Sequence, residues 1–323
     1  MKCLFRLMQG AALVAMTSTT TAALAQDYPA KPVRVMVGMA PGGSNDTIAR
    51  LVSSALSEKT GQQFVVENKP GANSTIATKE LKRANPDGYT LMLVISSHVT
   101  NTLLYPNLDY KLNDFAPVSV IADTPFVLVA NPKFKPSNVA EMISLAKSSK
   151  DPINFGTPGL GSTQHISLEL MDQMAGIKMN HIPYKGGAPA QTDVIGGVIP
   201  LIFATPTQSL PFIKERQLKA LAVTSMQRLS QLPDVPTVME SGLPGYEANV
   251  WFGIIAPAGT PANVIEKLNK EITQIVNNGE IRKRLEGMGL NPVGSTPEQF
   301  QTLLDNEKTK WADVIKKSDI KFE

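Results

Sequence analysis

The chain has 323 residues, of which 42% are hydrophobic and 18% charged, so it can bury a sizeable core and is not predicted to be disordered. Because a domain takes roughly 100–200 residues, this length favours two domains over one. The net charge is only +3, no basic run stands out, and aromatic residues make up 6%, which together argue against a nucleic-acid-binding protein.

Residues 1–25 have the features of a secretory signal peptide. Lys2 and Arg6 give a positive start, an apolar stretch too short to span a bilayer follows, and small residues precede a cleavage site after Ala25. Cys3, the only cysteine, lies before the apolar stretch, so it is not the lipidated residue of a lipoprotein. Cleavage would leave a mature chain without disulfides or thiolate-bound zinc. We therefore expect an exported, periplasmic protein; the alternative is an N-terminal helix of the fold.

The first part of the mature chain alternates strands with helices. Runs of β-branched and apolar residues predict strands at 33–37, 64–67 and 90–95. Apolar residues at helical spacing predict a helix from Asp46 to a stop at Gly61 and a second helix at 77–84, before a turn at 85–88. Strands that alternate with helices in this way indicate a parallel sheet.

A second series of the same kind follows Asn131-Pro132. It has predicted helices at 139–146, 163–174 and 188–195 and predicted strands at 153–155, 179–182, 199–203 and 218–223. No flexible linker separates the two series, so we expect extended segments near 124–131 and 248–256 to cross between them. The C-terminal part is predicted to be helical, with helix starts at Thr260-Pro261 and Thr296-Pro297.

Two loops have the composition of an anion site. Residues 40–46 and 156–164 each follow an apolar strand, are rich in glycine and hydroxyl residues, and open a helix. A helix start presents unpaired N–H groups and a partial positive charge, and glycine lets a ligand approach the backbone. Neither loop has the Gly-Lys-Ser/Thr ending of a nucleotide P-loop, so a carboxylate fits better than a phosphate. The alternative for either loop is a tight turn that caps its helix.

The remaining polar residues leave several alternatives open. Lys185 comes just before a predicted helix start, where it could add a positive charge to the cleft or remain a surface lysine. His165 and Glu169, four residues apart, could bind a metal but more often form a hydrogen bond on a helix face. A secreted hydrolase that uses Ser97 or Ser162 with His98 or His165 is the rival hypothesis, although no Gly-x-Ser-x-Gly motif is present.

The order and spacing of several motifs resemble the tripartite tricarboxylate transporter receptors, also called Bug or TctC-type periplasmic solute-binding proteins. The resemblance covers essentially the whole mature chain. It rests on Pro41-Gly42-Gly43 with Asp46 and Ala49-Arg50, on the segments 68–72, 86–91, 114–118, 161–169 and 183–186, and on Trp251 to Pro261.

The resemblance implies a fold and a function. The fold would be a two-lobed α/β, type II periplasmic binding protein of the Venus flytrap kind, with a mostly parallel, helix-flanked sheet in each lobe. Lobe 1 would comprise 26–124 and 248–323, and lobe 2 would comprise 125–247. The protein would be a monomer without enzymatic activity, cofactor or metal. It would bind a small mono-, di- or aromatic carboxylate between its lobes and deliver it to a transporter of two integral membrane subunits, or present it to a signalling receptor.

The family's binding loops carry over residue by residue onto this sequence. The implied ligand contacts are Pro41, Gly42, Gly43, Ser44, Asn45, Asp46, Asn73, Ser74, Ser97, Gly161, Ser162, Thr163, Gln164, His165, Tyr184, Lys185 and Gly186. Asn73 and Ser74 replace glycines that are frequent in the family, so their side chains could reach the ligand. Many members have an acidic residue where this chain has Ala204, which favours a plain carboxylate over an amino acid as the ligand here.

Overall fold

The structure is a computed structural model that describes residues 28–105, 107–318 and 320. The predicted signal peptide, its cleavage site after Ala25 and Cys3 lie outside the described residues. The first part of the chain alternates strands and helices as predicted: β1 (Val33–Val37), α1 (Ser44–Thr60), β2 (Phe64–Asn68), α2 (Thr75–Lys82) and β3 (Thr90–Ile95). Gly61 ends α1 as predicted, because its φ of 71° lets its N–H bond back to the carbonyl of Ser57.

The next segment contains two elements that were not predicted. They are α3 (Ser97–Leu104) and β4 (Phe115–Pro125), and β5 (Val127–Ala130) follows them. The sequence of α3 is rich in serine, threonine and asparagine, which have low helix propensity, so the pattern did not reveal it. Six of its eight residues are buried, which shows that tertiary packing stabilises this helix.

The second α/β series matches the predicted order, with one addition. Its elements are α4 (Val139–Ser148), β6 (Asn154–Thr157), α5 (Thr163–Ala175), β7 (Asn180–Pro183), α6 (Gly187–Gly196), β8 (Leu201–Ala204), α7 (Pro206–Lys214) and β9 (Lys219–Val223). Helix α7 was missed because Pro211 interrupts its pattern. The chain continues with β10 (Asn249–Pro257), α8 (Ala262–Val276), α9 (Gly279–Gly287), β11 (Asn291–Pro292) and α10 (Pro297–Lys317).

The strands form two helix-flanked sheets, so the predicted two-lobed α/β fold is confirmed. One sheet has the order β11-β4-β10-β3-β1-β2 and the other the order β7-β6-β8-β5-β9. As predicted, most strands of each sheet run in one direction, four of six in the first sheet and four of five in the second, although both sheets also contain antiparallel pairs. Only β1 with β2 and β3, and β6 with β7 and β8, pair in parallel. The long strand β10 runs antiparallel to β3 and β4, and β5 runs antiparallel to β8 and β9, because these strands bring the chain across between the lobes.

The two segments that cross between the lobes, near 124–131 and 248–256, both contact Thr224, which is fully buried. The Thr224 N–H donates to the carbonyl of Phe126 at 2.9 Å, and its hydroxyl accepts from the Phe126 N–H at 2.7 Å. On the other crossing, the Ala248 N–H donates to the Thr224 carbonyl at 3.1 Å, and the Thr224 hydroxyl donates to the Ala248 carbonyl. One side chain therefore forms hydrogen bonds with both extended segments. The exact lobe limits, 124/125 and 247/248, stay a prediction.

The C-terminal helices complete the first lobe. Helix α10 begins as predicted: Thr296 caps it, and Gln299 returns a bond to the Thr296 N–H. Its buried face carries Phe300, Leu304, Trp311 and Val314. This helix packs on α3 and β4 and also reaches α5, where Gln173 Nε2 donates to the Val314 carbonyl at 3.1 Å.

Candidate functional site

A cavity lies between the two sheets, where four helices begin. It holds about 80 Å³ of space for water, enough for several molecules at about 10–15 Å³ each. The starts of α1, α5, α6 and α7 all contribute to its lining. The start of an α-helix carries about half a positive charge. The cavity is therefore suited to a small anion.

Eight of the residues predicted as ligand contacts line this cavity. They are Pro41, Gly43, Ser44, Asn45, Ser162, Gln164, Lys185 and Gly186. Both predicted loops thus open into the same crevice. The remaining nine do not line it; they are Gly42, Asp46, Asn73, Ser74, Ser97, Gly161, Thr163, His165 and Tyr184.

Asp46 stabilises the first loop without lining the cavity. Its carboxylate accepts from the Gly42 N–H at 3.0 Å and pairs with Arg50 Nε at 3.0 Å. Burial alone would raise the pKa of this carboxyl, but the hydrogen bonds from Arg50 and Gly42 outweigh it and lower the pKa. The acid therefore stays charged and holds the turn, and it does not line the cavity.

Three of the four helix starts have no side-chain cap. The N-cap residues of α1, α6 and α7 are Gly43, Gly186 and Thr205, and none of them has a side chain that accepts a bond from an N–H of its own helix. In α5, by contrast, the Ser162 hydroxyl accepts from the His165 N–H at 3.3 Å. Because an uncapped start leaves N–H groups to be satisfied by a ligand or water, α1 and α6 present backbone donors to the cavity.

The two lobes contact each other beside the cavity. Asn73 Nδ2 and the Thr100 hydroxyl, both in the first lobe, donate to the carbonyl of Gly161 in the second lobe at 3.1 and 3.3 Å. Gly161 has a φ of 71°, in the left-handed region that favours glycine. Asn73 is thus an interlobe contact, and Ser74 is buried with its hydroxyl on the Gly38 carbonyl at 3.2 Å.

A second interlobe contact was missed by sequence reasoning. The hydroxyls of Ser44 and Thr205 lie 2.7 Å apart across the cleft, and the Thr205 hydroxyl donates to Gln208 Oε1 at 3.4 Å. Thr205 and Gln208 line the cavity from the start of α7. The pair Thr205-Pro206 has the same cap-then-proline form as the two predicted C-terminal helix starts, so the signal was present in the sequence.

Four apolar residues, here called the apolar floor, also line the cavity, and none of them was predicted from the sequence. Ile95 and Phe252 are partners on β3 and β10, and Phe126 and Val250 lie on the two crossing segments. Among the described lining residues the only ionisable side chain is that of Lys185, which is exposed and forms no ion pair within the described part of the chain. The lining therefore contains no acidic side chain to receive an ammonium group.

The serine and histidine side chains of the rival hydrolase hypothesis do not form catalytic pairs. The Ser162 hydroxyl bonds the backbone of His165, while the His165 ring accepts from the Gly161 N–H at 3.1 Å through Nδ1 and stacks on His181 at 3.6 Å. Ser97 is buried, as is His98, whose ring packs between Tyr110 and Phe115. The expected His165–Glu169 contact is 3.8 Å long, and within the described residues no three potential ligands come together as a metal site.

All three histidines of the sequence have a lowered pKa in the folded protein. Burial lowers the pKa of His98 and of His181 to about 4. Burial, with the neighbouring His181 and Lys178, lowers the pKa of His165 to about 3. Burial raises the pKa of Asp172 to about 7. In mild acid the folded protein therefore holds a proton on Asp172 that the unfolded chain does not, which is the reverse of the effect of the histidines.

We expect the free energy of unfolding to fall as the pH drops from 6.5 towards 4.5. Stability held by neutral histidines is complete above pH ~6.5 and is lost below it, because the unfolded chain then binds three protons that the folded protein does not. Asp172 offsets one of them, and the raised pKa values of Asp123 and Glu307 act in the same direction, so at most about two net protons remain, or up to roughly 3 kcal/mol per pH unit. Urea unfolding at pH 7, 6 and 5 would measure this slope, and His98→Leu should reduce it. A stability that is flat or rises towards pH 5 would contradict the prediction.

Within residues 28–105, 107–318 and 320, no helix is both long and apolar enough to span a membrane.

Comparison with known proteins relates the whole fold to solute receptors. The profile of the tripartite tricarboxylate transporter family receptor matches residues 48–320. Protein BugT of Bordetella pertussis is 36% identical over 301 residues, which cover 92% of each chain. The structure of Rpa4515 of R. palustris with adipate has a TM-score of 0.87 at 34% identity, covering 90% of this chain and 98% of that one.

A second solved structure has the same fold. MatC of Rhodopseudomonas palustris with bound malate has a TM-score of 0.84 at 30% identity, covering 89% of this chain and all of that one. These relatives are substrate-binding receptors, which removes the hydrolase alternative. With a family profile over most of its length and relatives at 30% identity or more over nine-tenths of the chain, the chain belongs to the tripartite tricarboxylate transporter family of receptors.

Proposed function

We propose that this protein is a periplasmic solute-binding protein that captures a small carboxylate in the interlobe cavity and delivers it to a two-subunit membrane transporter. The observation that carries the proposal is the convergence of four helix starts on one cavity without an acidic side chain in its lining. Backbone N–H groups at such starts bind anions without a charged side chain.

Two relatives support the choice of a carboxylate. Rpa4515 has been solved with adipate and MatC with malate, and both share this fold over about nine-tenths of the present chain. Adipate and malate are both aliphatic dicarboxylates. Aliphatic dicarboxylates are therefore the first class of ligand to test on this protein. The apolar floor around Ile95 and Phe252 suits the hydrocarbon part of such a ligand.

Lobe closure would couple binding to delivery. A ligand favours the closed arrangement only through contacts that it makes with both lobes. Ser44 and Asn45 belong to the first lobe, and Gln164 and Lys185 belong to the second, so a ligand in the cavity would contact both. We propose that the transporter recognises this closed form and that the receptor acts as a monomer.

A thermal unfolding screen tests the proposal. Purified mature protein would be scanned with aliphatic, hydroxy-, aromatic and amino carboxylates, with the matching amides as neutral controls. A carboxylate at 100 times its Kd should add about 2.7 kcal/mol to the free energy of unfolding, which raises Tm by several degrees. If no carboxylate raises Tm above its amide, the proposed function is wrong.

A further inference from the structure

Gln208 occupies the gap between the helix starts of the two lobes. It lies in the first turn of α7, is half-buried and lines the cavity. A Cβ built on Gly187, at the start of α6, would lie 2.9 Å from Gln208 Oε1 and 3.2 Å from Nε2. On the opposite side, a Cβ built on Gly43, at the start of α1, would lie 3.8 Å from Gln208 Nε2. The amide therefore sits where three helix starts meet.

The hydrogen bonds around this amide determine which of its ends remains available. Either hydroxyl can donate in the 2.7 Å bond between Ser44 and Thr205; when Ser44 donates, the Thr205 hydrogen is free to bond Gln208 Oε1, which lies 3.4 Å away. The backbone carbonyl of Gln208 is held by Gln191 Nε2 at 3.1 Å. Nε2 donates to no group in the described part of the protein, so its two N–H bonds can point into the cavity.

A donor at this place selects for the charge of the ligand. An amide N–H₂ group stabilises a carboxylate oxygen and offers nothing to an ammonium group, whereas a carboxylate of the same shape would do the reverse. The lining has no acidic side chain that could take over that role.

We propose that Gln208 is the specificity-determining residue of this site, which donates through Nε2 to a ligand carboxylate and excludes ligands that bring an α-ammonium group to α7. The inference rests on the proposed function and deepens it, because it restricts the ligands to carboxylic acids without an amino group. The contact between Gln208 and the ligand would then lie at one end of the hydrogen-bonded side chains Ser44, Thr205 and Gln208, which join the two lobes.

The first test is Gln208→Glu, which keeps the shape of the side chain and replaces the donor with a negative charge. At pH 7 this variant should bind the carboxylate that stabilises the wild type most strongly about 100-fold more weakly, because a donor is lost and a like charge is added. Its preference for that acid over the α-amino analogue should shrink or reverse, which a merely structural change would not cause. Gln299→Glu is the matched control, since Gln299 holds the same position in the first turn of α10, outside the cavity lining.

A second variant moves the Gln208 amide without changing its chemistry. Gly187→Ala would place a methyl group against Oε1 and Nε2, so the amide must shift, while the helix start itself accepts alanine. We expect about tenfold weaker carboxylate binding with unchanged unfolding of the free protein. Gly279→Ala is its control, because Gly279 also opens a helix and has open space around it.

The outcomes separate the two proposals. If isothermal titration shows that the wild type binds no carboxylate, the proposed function and this inference both fail. If the wild type binds but Gln208→Glu binds the same acid within about twofold, or keeps the same preference over the amino analogue, only the role of Gln208 is overturned. Should Gln208→Glu fail to fold, Gly187→Ala decides: affinity equal to that of Gly279→Ala overturns the inference.

Discussion

Replacing Gly43 with valine should abolish stabilisation by ligand while leaving the free protein folded. Gly43 has a φ of −82°, a value that valine adopts, and a Cβ at this position meets nothing closer than Gln208 Nε2 at 3.8 Å. The two further methyl groups would occupy the cavity at the start of α1, where the backbone donors lie. At 100 times the wild-type Kd, the expected gain of about 2.7 kcal/mol on ligand addition should fall to near zero.

Gly279→Val is the matched control for this prediction, because it adds the same side chain at a helix start that faces open space. It should keep the full ligand-induced shift in Tm. Gly161→Val is a poorer test, since its φ of 71° would strain valine and destabilise the fold itself. A Gly43→Val protein that gains as much stability from ligand as the wild type would show that the anion does not bind at α1.

Thr224→Val should lower the free energy of unfolding by about 2–6 kcal/mol. Valine keeps the shape of threonine, but the Phe126 N–H loses its acceptor and the Ala248 carbonyl loses its donor. All three residues are fully buried, so water does not replace these bonds. Each buried backbone group left unpaired costs about 1–3 kcal/mol.

Urea unfolding monitored by circular dichroism would measure this loss. Thr302→Val is the control: Thr302 is exposed on α10, and its hydroxyl only adds a bond to the Glu298 carbonyl four residues earlier. That variant should change stability by less than about 0.5 kcal/mol. A Thr224→Val protein as stable as this control would mean that the two crossing segments are held together by other contacts.

Local patterns in the sequence were sufficient to predict most of the helices and strands. The apolar spacing of α1 and its stop at Gly61 depend on neighbours within one or two turns, and Thr296 with Gln299 caps α10 through contacts three residues apart. The composition of the glycine loops 40–46 and 156–164 likewise predicts that each opens a helix, and residues of both loops line the cavity. Helix α3 was missed because burial against distant segments, and not its own residues' propensity, stabilises it.

What the sequence determined by itself, then, is most of the order of strands and helices, three of the four helix starts at the cavity, and the family resemblance that these motifs carry. Only the tertiary structure decided which groups line the cavity. Asp46 and Gly42 turn away into the loop, Asn73 bridges to Gly161, and Thr205 and Gln208 come from a helix that the pattern did not show. The physical reason is that these contacts join residues far apart in the chain, such as Ser44 and Thr205, whose approach depends on how the two lobes pack and not on local preference.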